Sequence, residues 1–393
     1  MRLLPSWLWK TKATMAAATQ PSAEAVMEGH DGGPEWEVRE KAAFESRNGG
    51  SIWYRKWSPK SKAVAMLFIA HGLHSHSGRW SKVAHHYTEK GYLVFSNDHI
   101  GHGLTAKALE GVKPGIVDDF TKMSDDFAHL VEKMFLLRRD MDLQPAPRLL
   151  ASKVCSFLYS RPSIQAHCSG FRVCGLATAV RAAALKVEEE QDKTLPVFIL
   201  GHSMGSLVTA VAAEACQAHP VVGPRFKKLA LSACPIVPGP GSASPFGLRF
   251  LYPLNRKPKL VRRVAGWLAK MDPGGPAAPI DNGSLSNDPE VAQEAAVDPL
   301  MVQGSVRNKT AFEVFKLIQA AKEGAGKVSV PTYLMHGTDD DIAYLSGSEE
   351  MKSLLTSSSD VELQVYDGVR HEVLKHTDTF PTVVAALDKH WGV

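Results

Sequence analysis

The chain of 393 residues is long enough to bury a large core, either as one large domain or as two small ones. Its 44% hydrophobic and 22% charged residues are ordinary for a globular protein, and a net charge of +4 gives no indication of nucleic-acid binding. No apolar run is long enough to cross a bilayer, and five cysteines without a C-x-x-C pair indicate reduced thiols rather than a disulfide framework.

The first part of the chain, residues 1–36, differs in composition from the rest. Its first twenty residues contain basic but no acidic side chains, and they include the apolar stretch Leu3–Trp9. We interpret this extension as a disordered tail or as a targeting segment that touches a membrane surface, and Met15 is an alternative start. The reduced thiols favour a cytoplasmic location, with membrane association and organelle targeting by the extension left open.

Short apolar strands alternate with helical patterns along the rest of the chain. In chain order we predict strands at Glu37–Glu45, Ile52–Trp57 and Val64–Ala70, a helix at Arg79–Lys90, a strand at Tyr92–Ser96, a helix at Val117–Leu137, a strand at Leu195–Leu200, a helix at Leu207–Gln217, strands at Lys228–Ser232 and Val330–Met335, a helix at Ser346–Leu355, a strand at Val361–Tyr366 and a helix at Thr382–Trp391. This alternation predicts an α/β fold with a mostly parallel central sheet and helices on both faces.

Polar clusters follow several of the predicted strands directly. These clusters are His71-Gly72, Asp98–Gly103, Ser203, His336–Asp341 and Gly368–His371. Because functional loops gather at the carboxyl ends of the strands in such sheets, we expect the clusters to share one edge.

The stretch FILGHSMGSLV, residues 198–208, predicts a nucleophile elbow. A serine on a sharp strand-to-helix turn needs small neighbours, and Gly201 and Gly205 provide that room on either side of Ser203. The following helix would point its N-terminus at the reaction centre, where negative charge develops. A plain glycine-rich turn is the alternative interpretation.

An acid and a base follow Ser203 in the chain order of the α/β-hydrolases, serine, then aspartate, then histidine. One of Asp339, Asp340 and Asp341 would orient the imidazole of His371, which would take the serine proton. Spacing alone does not choose among the three aspartates. Taken singly, the aspartates also fit a solvated turn or a weak Ca²⁺ site, and His371 fits a surface histidine.

An oxyanion hole requires two backbone donors. The amide of Met204 follows the nucleophile, and the amide of Leu73 belongs to the loop after the strand that ends at His71-Gly72. Zinc is an alternative for the histidines of this loop, but the loop offers no fourth ligand, so we predict no metal.

Several stretches resemble the monoacylglycerol lipase and lysophospholipase branch of the α/β-hydrolases, the serine aminopeptidase S33-type group that includes caffeoylshikimate esterase-like proteins. They are AHGLHSHSGRW (70–80), NDHIGHGLT (97–105), LGHSMGS (200–206), SNDPEVAQEAAVDPL (286–300), VPTYLMHGTDDDI (330–342) and YDGVRHEVL (366–374). The resemblance spans roughly residues 37–393.

The resemblance implies an α/β-hydrolase that cleaves a carboxylic ester without a cofactor, most typically a monoacylglycerol. It implies Asp340 as the acid, His371 as the base, and Leu73 and Met204 as the oxyanion donors. It also implies that His71, Gly72, Asp98 and His102 support these loops. A lysophospholipase, a general carboxylesterase and a non-catalytic binding protein of the same fold are the alternatives.

The chain departs from the family pattern in three places. Thr105 and Ser206 stand where the family usually has serine and glycine, respectively. Residues 136–180 form an atypical insertion with little periodicity, and they are interpreted as a genuine insertion or as an artefact of the gene prediction.

Residues 235–326 are predicted to form a cap between two core strands. Within the cap, residues 244–270 combine aromatic and basic side chains, which would suit either peripheral contact with an anionic membrane or packing of a helix on the core. The expected partner is therefore a small lipid ester. The sequence does not indicate an oligomeric state.

Overall fold

The computed structural model describes residues 40–108, 113–141, 195–239 and 258–393. The predicted N-terminal extension, residues 142–180 of the predicted insertion and residues 240–257 of the predicted cap lie outside the described residues.

The strands of the described residues belong to a main sheet and to a small two-stranded antiparallel sheet. They are β1 (Glu40–Glu45), β2 (Ser51–Trp57), β3 (Ala65–Ala70), β4 (Tyr92–Asn97), β5 (Val197–His202), β6 (Phe226–Ser232), β7 (Pro276–Pro279), β8 (Ser305–Arg307), β9 (Thr332–Gly337) and β10 (Val361–Tyr366). The small sheet pairs β7 with β8.

The α-helices are α1 (Ser81–Glu89), α2 (Gly103–Ala108), α3 (Phe120–Met141), α4 (Met204–Ala218), α5 (Pro258–Met271), α6 (Pro289–Val297), α7 (Asn308–Ala325), α8 (Leu345–Leu354) and α9 (Phe380–Trp391). A 3-10 helix, Ser77–Trp80, precedes α1. Among these described helices, none is both long enough and apolar enough to cross a membrane.

The main sheet has eight strands in the order β1-β2-β4-β3-β5-β6-β9-β10. Strands β1 and β2 form an antiparallel hairpin, β2 pairs antiparallel with β4, and the remaining pairs are parallel. The loops that follow β3, β4, β5, β6, β9 and β10 therefore meet at one edge of the sheet. This is the α/β-hydrolase arrangement with a mostly parallel sheet, as the sequence predicts.

Successive residues of the central strands enter two different cores. On β3, Met66 and Phe68 pack on one face with α3, α4 and α7, while Leu67 and Ile69 pack on the other face with α1 and α9. Because side chains alternate across a pleated strand, a continuous apolar run covers both faces of a sheet that is flanked by helices.

Part of the predicted cap has a core of its own, and part of it joins the main core. Residues from β7, α6 and β8 form a separate apolar cluster that also contacts Leu73. Helix α7, in contrast, packs Leu317 and Ala321 into the core beneath the sheet. The predicted cap of 235–326 thus includes a helix that belongs to the main core.

Element bounds differ from prediction mainly at helix ends. Helix α3 begins at Phe120 rather than at Val117, because the Asp119 carboxylate accepts the amide of Thr121 and defines the start of the helix. The same helix continues to Met141, six residues into the predicted insertion. Helix α4 begins at Met204, three residues before the predicted start.

Candidate active site

The turn between β5 and α4 holds Ser203 in a conformation that few non-glycine residues adopt. Its backbone angles are φ 54° and ψ −125°. Backbone strain of this kind persists where the surrounding structure enforces it, and it is concentrated at functional sites. The Ser203 amide donates to the carbonyl oxygen of Ser232 at 2.8 Å, which ties the turn to the end of β6.

The two glycines beside Ser203 are required by close packing. A Cβ atom on Gly205 would overlap the carbonyl oxygen of Ala70 at the end of β3. A Cβ atom on Gly201 would overlap the Thr209 hydroxyl and the carbonyl of Gly205. The elbow therefore packs directly against the neighbouring strand and its own helix, with no space for a side chain at either position.

His371 and Asp340 are brought together from two different loops. His371 follows β10, Asp340 follows β9, and Nδ1 of His371 lies 2.7 Å from Oδ2 of Asp340. The other carboxylate oxygen of Asp340 accepts the amides of Ile342 and Ala343, each at 2.9 Å. These contacts fix both oxygens of Asp340 and direct Nε2 of His371 away from the carboxylate.

Charge and burial oppose each other at this pair. Burial disfavours the imidazolium of His371, but the Asp340 carboxylate outweighs it, so the pKa of His371 is raised above its ordinary value. Burial likewise disfavours the Asp340 carboxylate, but His371 and His336 together hold its pKa well below the usual range. Asp340 thus stays ionised over the range in which His371 titrates.

The elbow, the His371 loop and the loop after β3 lie next to one another. The imidazole of His202, the residue before Ser203, lies with its centroid 4.9 Å from that of His371. On the other side, a Cβ atom on Gly72 would lie 3.0 Å from Cβ of Ser203. The structure therefore brings the three predicted loops around Ser203.

The two predicted oxyanion donors belong to segments that flank Ser203. Met204 is the first residue of α4, so its amide is among those for which a helix has no internal acceptor. Leu73 follows Gly72, and its side chain packs on the apolar cluster formed by β7, α6 and β8 and on the main core. Both amides thus belong to backbone that packing holds in place.

The predicted supporting residues are buried and hydrogen-bonded behind this loop. Nε2 of His71 accepts the amide of His99 at 3.0 Å, while its Nδ1 lies 2.8 Å from the carbonyl oxygen of Gly72. Nδ1 of His102 lies 3.0 Å from the Ile100 carbonyl. Burial, and after it repulsion from His99 and His102, lowers the pKa of His71 well below its ordinary value. Burial also lowers the pKa of His102 to about 4. These histidines are therefore neutral at neutral pH.

Asp98 connects the end of β4 to the segment that follows the predicted oxyanion loop, which is the loop after β3 that contains Leu73. It accepts the amide of Ser77 at 2.7 Å and that of Leu104 at 2.7 Å, and it faces Arg55. The hydroxyl of Thr105 makes two hydrogen bonds in this region. Its Oγ1 donates to the Asp98 carbonyl oxygen at 2.7 Å and accepts from the amide of Trp53. Threonine at this position thus both donates and accepts a hydrogen bond through its hydroxyl.

Several residues that contact the site were assigned no role from the sequence. Nε2 of His336 lies 3.2 Å from Oδ2 of Asp340. The Ser206 hydroxyl donates to the carbonyl oxygen of Ser203 at 2.6 Å. Glu372, beside His371, pairs with Arg79. All four of these residues stand in the quoted family stretches, which is the signal that could have drawn attention to them. His336 lies only four residues from Asp340, whereas Arg79 and Glu372 are 293 residues apart, so the sequence gives no indication of their pairing.

No group of three or more histidine, cysteine, aspartate or glutamate side chains is arranged to hold a metal ion within the described ranges. The arrangement that the structure does hold is a serine in a strained turn, a histidine bonded to a buried carboxylate, and two backbone amides nearby. Such a set can carry out acyl transfer from an ester or amide to water.

A family model described as Hydrolase_4, serine aminopeptidase, S33, matches residues 61–143 and 175–378. A monoacylglycerol lipase of Mycolicibacterium smegmatis is 26% identical over 342 residues, which cover 87% of this chain and 93% of that protein. A caffeoylshikimate esterase of Arabidopsis thaliana is 24% identical over 341 residues, covering 85% of this chain and 79% of that protein.

The fold is also found among solved structures. A soluble variant of monoglyceride lipase from Saccharomyces cerevisiae, in complex with a substrate analogue, aligns with a TM-score of 0.58 at 22% identity. The alignment covers 90% of this chain and 95% of that structure. At this level of identity, the likeness concerns the fold.

Proposed function

Because the chain belongs to the Hydrolase_4 family, serine aminopeptidase S33, we propose that it is a serine ester hydrolase that cleaves monoacylglycerols to fatty acid and glycerol. The observation that carries this proposal is the contact of 2.7 Å between His371 and Asp340 beside the strained Ser203. The names of the relatives, monoacylglycerol lipase above all, support the choice of substrate.

In the proposed mechanism, Ser203 Oγ attacks the ester carbonyl as its proton passes to Nε2 of His371. The resulting oxyanion accepts hydrogen bonds from the amides of Leu73 and Met204. The bond between the acyl carbon and the alcohol oxygen then breaks, and His371 returns the proton to the leaving glycerol oxygen. Water, deprotonated by His371, hydrolyses the acyl-enzyme by the same steps, while Asp340 stabilises the imidazolium each time it forms.

The experiment that tests the substrate compares fatty-acid release from a long-chain monoacylglycerol and from the matching lysophosphatidylcholine. Ser203→Ala is assayed beside the wild type, and its rate is expected to fall at least roughly 10⁴-fold. A preference for the lysophospholipid would retain the mechanism and reassign the substrate to the lysophospholipase alternative. Equal turnover of short simple esters would favour a general carboxylesterase.

A non-catalytic binding protein of the same fold is the alternative from another class. A fluorophosphonate reacts with an activated serine whatever ester the enzyme prefers, so labelling separates the two classes. We expect labelling of the wild type and none of Ser203→Ala. Absence of labelling in wild-type protein that unfolds cooperatively on heating would favour the binding protein.

We propose a peripheral membrane contact through helix α5 of the cap. The side chains of Trp267 and Met271 are 61% and 65% exposed, respectively, and Arg263 and Lys270 are exposed on the same helix. Exposed aromatic and basic side chains on one helix favour adsorption to anionic lipid. This surface would take up a substrate that partitions into membranes.

Sedimentation with vesicles tests this contact. We expect more binding to vesicles of phosphatidylglycerol and phosphatidylcholine than to phosphatidylcholine alone, and less binding after Trp267→Ser with Met271→Ser. Val64→Ser is the matched control, because Val64 is 55% exposed but lies just before β3, at the opposite edge of the sheet from the site. Equal loss in the control would contradict a specific role for α5.

We propose a cytoplasmic location for the protein. The composition supports it, with five cysteines and no C-x-x-C pair, and the two described cysteines, Cys216 and Cys234, are buried free thiols. Fractionation of cells that express the chain with a C-terminal tag tests the location. Recovery in an organelle fraction would instead assign a targeting role to the N-terminal extension.

A further inference from the structure

The residue after His371 carries a buried carboxylate that three nitrogen atoms contact. Oε1 and Oε2 of Glu372 accept from Nη1 and Nη2 of Arg79 at 2.6 and 2.9 Å, respectively. Nζ of Lys375 donates to Oε1 at 2.7 Å. All three side chains are buried, and the ammonium of Lys375 lies 5.2 Å from the centre of the Trp80 ring.

Arg79 lies on a segment that is firmly anchored beside the oxyanion loop. It belongs to the 3-10 helix Ser77–Trp80, which directly follows the loop with Leu73. The amide of Ser77 donates to Asp98, which holds the start of that helix against the end of β4. The pair of Arg79 and Glu372 thus joins two loops of the site that are 293 residues apart in the chain.

We propose that Glu372 is a positioning residue for His371, because its bidentate contact with Arg79 ties the loop of the base to the segment behind the oxyanion loop. This inference rests on the proposed function, in which His371 is the base. Lys375 completes the cluster of Arg79, Glu372 and Lys375, which we call the buried ion cluster.

The charges of the buried ion cluster depend on one another. Burial disfavours the Glu372 carboxylate, but Arg79 and Lys375 hold its pKa far below the usual range. Burial, followed by repulsion from Arg79, lowers the pKa of Lys375 to about 8 despite the attraction of Glu372. A bidentate contact between buried groups also restricts orientation more than a single charge contact does.

The cluster acts on His371 through charge as well as through geometry. The titratable groups that face His371 are Asp340 from the loop after β9, His202 from the end of β5, and Glu372 and Lys375 from its own loop. Glu372 favours the imidazolium and Lys375 disfavours it. Changes at these two residues are therefore expected to move the protonation of His371 in opposite directions.

The charge effect is measured as the pH dependence of fluorophosphonate labelling of Ser203 in the full chain. Labelling requires neutral His371, so its rate rises as pH passes through the pKa of that residue. In Lys375→Met, the loss of a positive charge is expected to move this rise to higher pH than in the wild type. Adding Glu372→Gln to Lys375→Met removes a negative charge without a titrating lysine nearby, and is expected to move the rise back to lower pH.

The geometric effect is measured with variants that keep the charges. Glu372→Asp keeps the negative charge on a side chain that is one methylene group shorter. Arg79→Lys keeps the positive charge but cannot make a bidentate contact. Both are expected to lower the maximal labelling rate about tenfold while leaving its pH dependence near that of the wild type. A purely structural role would instead lower the unfolding temperature and leave the labelling rate of the folded protein unchanged.

In the double variant, Lys375→Met with Glu372→Gln, Arg79 has lost its carboxylate partner, and the protein could fail to fold for that reason. A variant without any of the three charges is therefore a second test. Replacing Arg79, Glu372 and Lys375 by Met, Leu and Met, respectively, exchanges the cluster for apolar groups, a change that buried ion clusters often tolerate. We expect folded protein with slow labelling and a rise at lower pH than in Lys375→Met.

The outcomes separate this inference from the proposed function. Failure of the folded wild type to label would overturn the proposed function itself. Normal labelling of the wild type, together with unchanged rates and pH dependence in all of these folded variants, would overturn the positioning role of Glu372 alone.

Discussion

Three consecutive aspartates follow β9, and their surroundings differ. Asp340 is buried and contacts His371, whereas Asp339 and Asp341 are exposed. A carboxylate in solvent is screened, so it orients a neighbouring imidazole poorly. At the scale of single residues, burial therefore distinguishes the proposed acid from two chemically identical neighbours.

Asp340→Asn is expected to reduce kcat roughly 10⁴-fold, the loss typical when an amide stabilises the wrong imidazole tautomer. The carbonyl oxygen of the substituted side chain can still accept the amides of Ile342 and Ala343, so the fold should be retained. Ester hydrolysis is measured beside Asp339→Asn and Asp341→Asn as matched controls. A comparable loss in either control would contradict the assignment of the acid.

The pH dependence of kcat/KM should have its acid limb above pH 6.5, because the pKa of His371 is raised and only neutral imidazole accepts the serine proton. Activity is then present above this pKa and is lost as pH falls through it. The pKa of His202 is well below its ordinary value, chiefly because of burial, so it does not titrate in this window. An acid limb centred well below pH 6.5 would contradict a carboxylate-paired base. A simple nitrophenyl ester suits the assay.

At the scale of elements, the elbow depends on contact between α4 and β3. Gly205 packs against the Ala70 carbonyl so closely that any side chain must push the helix away from the strand. Displacement of α4 would also move the Met204 amide, which begins the helix. Close packing therefore serves stability and the proposed oxyanion hole together.

Gly205→Ala is expected to destabilise the protein by about 3 kcal/mol or more, because the overlap is with backbone, which cannot change rotamer. Gly324→Ala in α7 is the matched control, since a Cβ atom there would meet nothing within 4 Å. The control should be neutral or stabilising by up to about 1 kcal/mol, as is usual where alanine replaces glycine at a helical position without strain. Denaturant unfolding measures both, and equal effects would refute the packing argument.

At the scale of the molecule, α3 and β5 flank the predicted insertion but share one core. Met134 of α3 and Val197 of β5 belong to the same apolar cluster. The family model matches up to residue 143 and again from residue 175. Residues 144–174 lie between these two matched parts. A shorter connection in their place would keep the residues of α3 and β5 that share this cluster.

Deletion of residues 144–174 is expected to change the unfolding temperature by less than about 3 °C, because shortening a connection changes its closure entropy only slightly. Thermal unfolding and fluorophosphonate labelling of the deletion variant are compared with those of the full chain. A deletion that begins at residue 136 serves as the control and should be less stable, since it removes the last six residues of α3. Unfolding of the shorter deletion would show that the segment belongs to the core.

The central strands, their order of alternation with helices, and the elbow around Ser203 could be predicted from the sequence. Each depends on local features, namely the apolar run of a buried strand and the two glycines of a sharp turn. Helix ends were less predictable. The helix start depends on a single hydrogen bond, from the amide of Thr121 to Asp119, and the continuation of α3 to Met141 enters a segment with little periodicity.

By itself, the sequence determined the chain order of serine, aspartate and histidine and the edge of the sheet at which they meet, because strands that alternate with helices run parallel and end at the same edge. Only the tertiary structure decided that Asp340 is the buried aspartate and that Glu372 pairs with Arg79. The physical reason is that desolvation and charge pairing depend on distances through space. Residues 293 positions apart acquire such a distance only when the whole chain has packed.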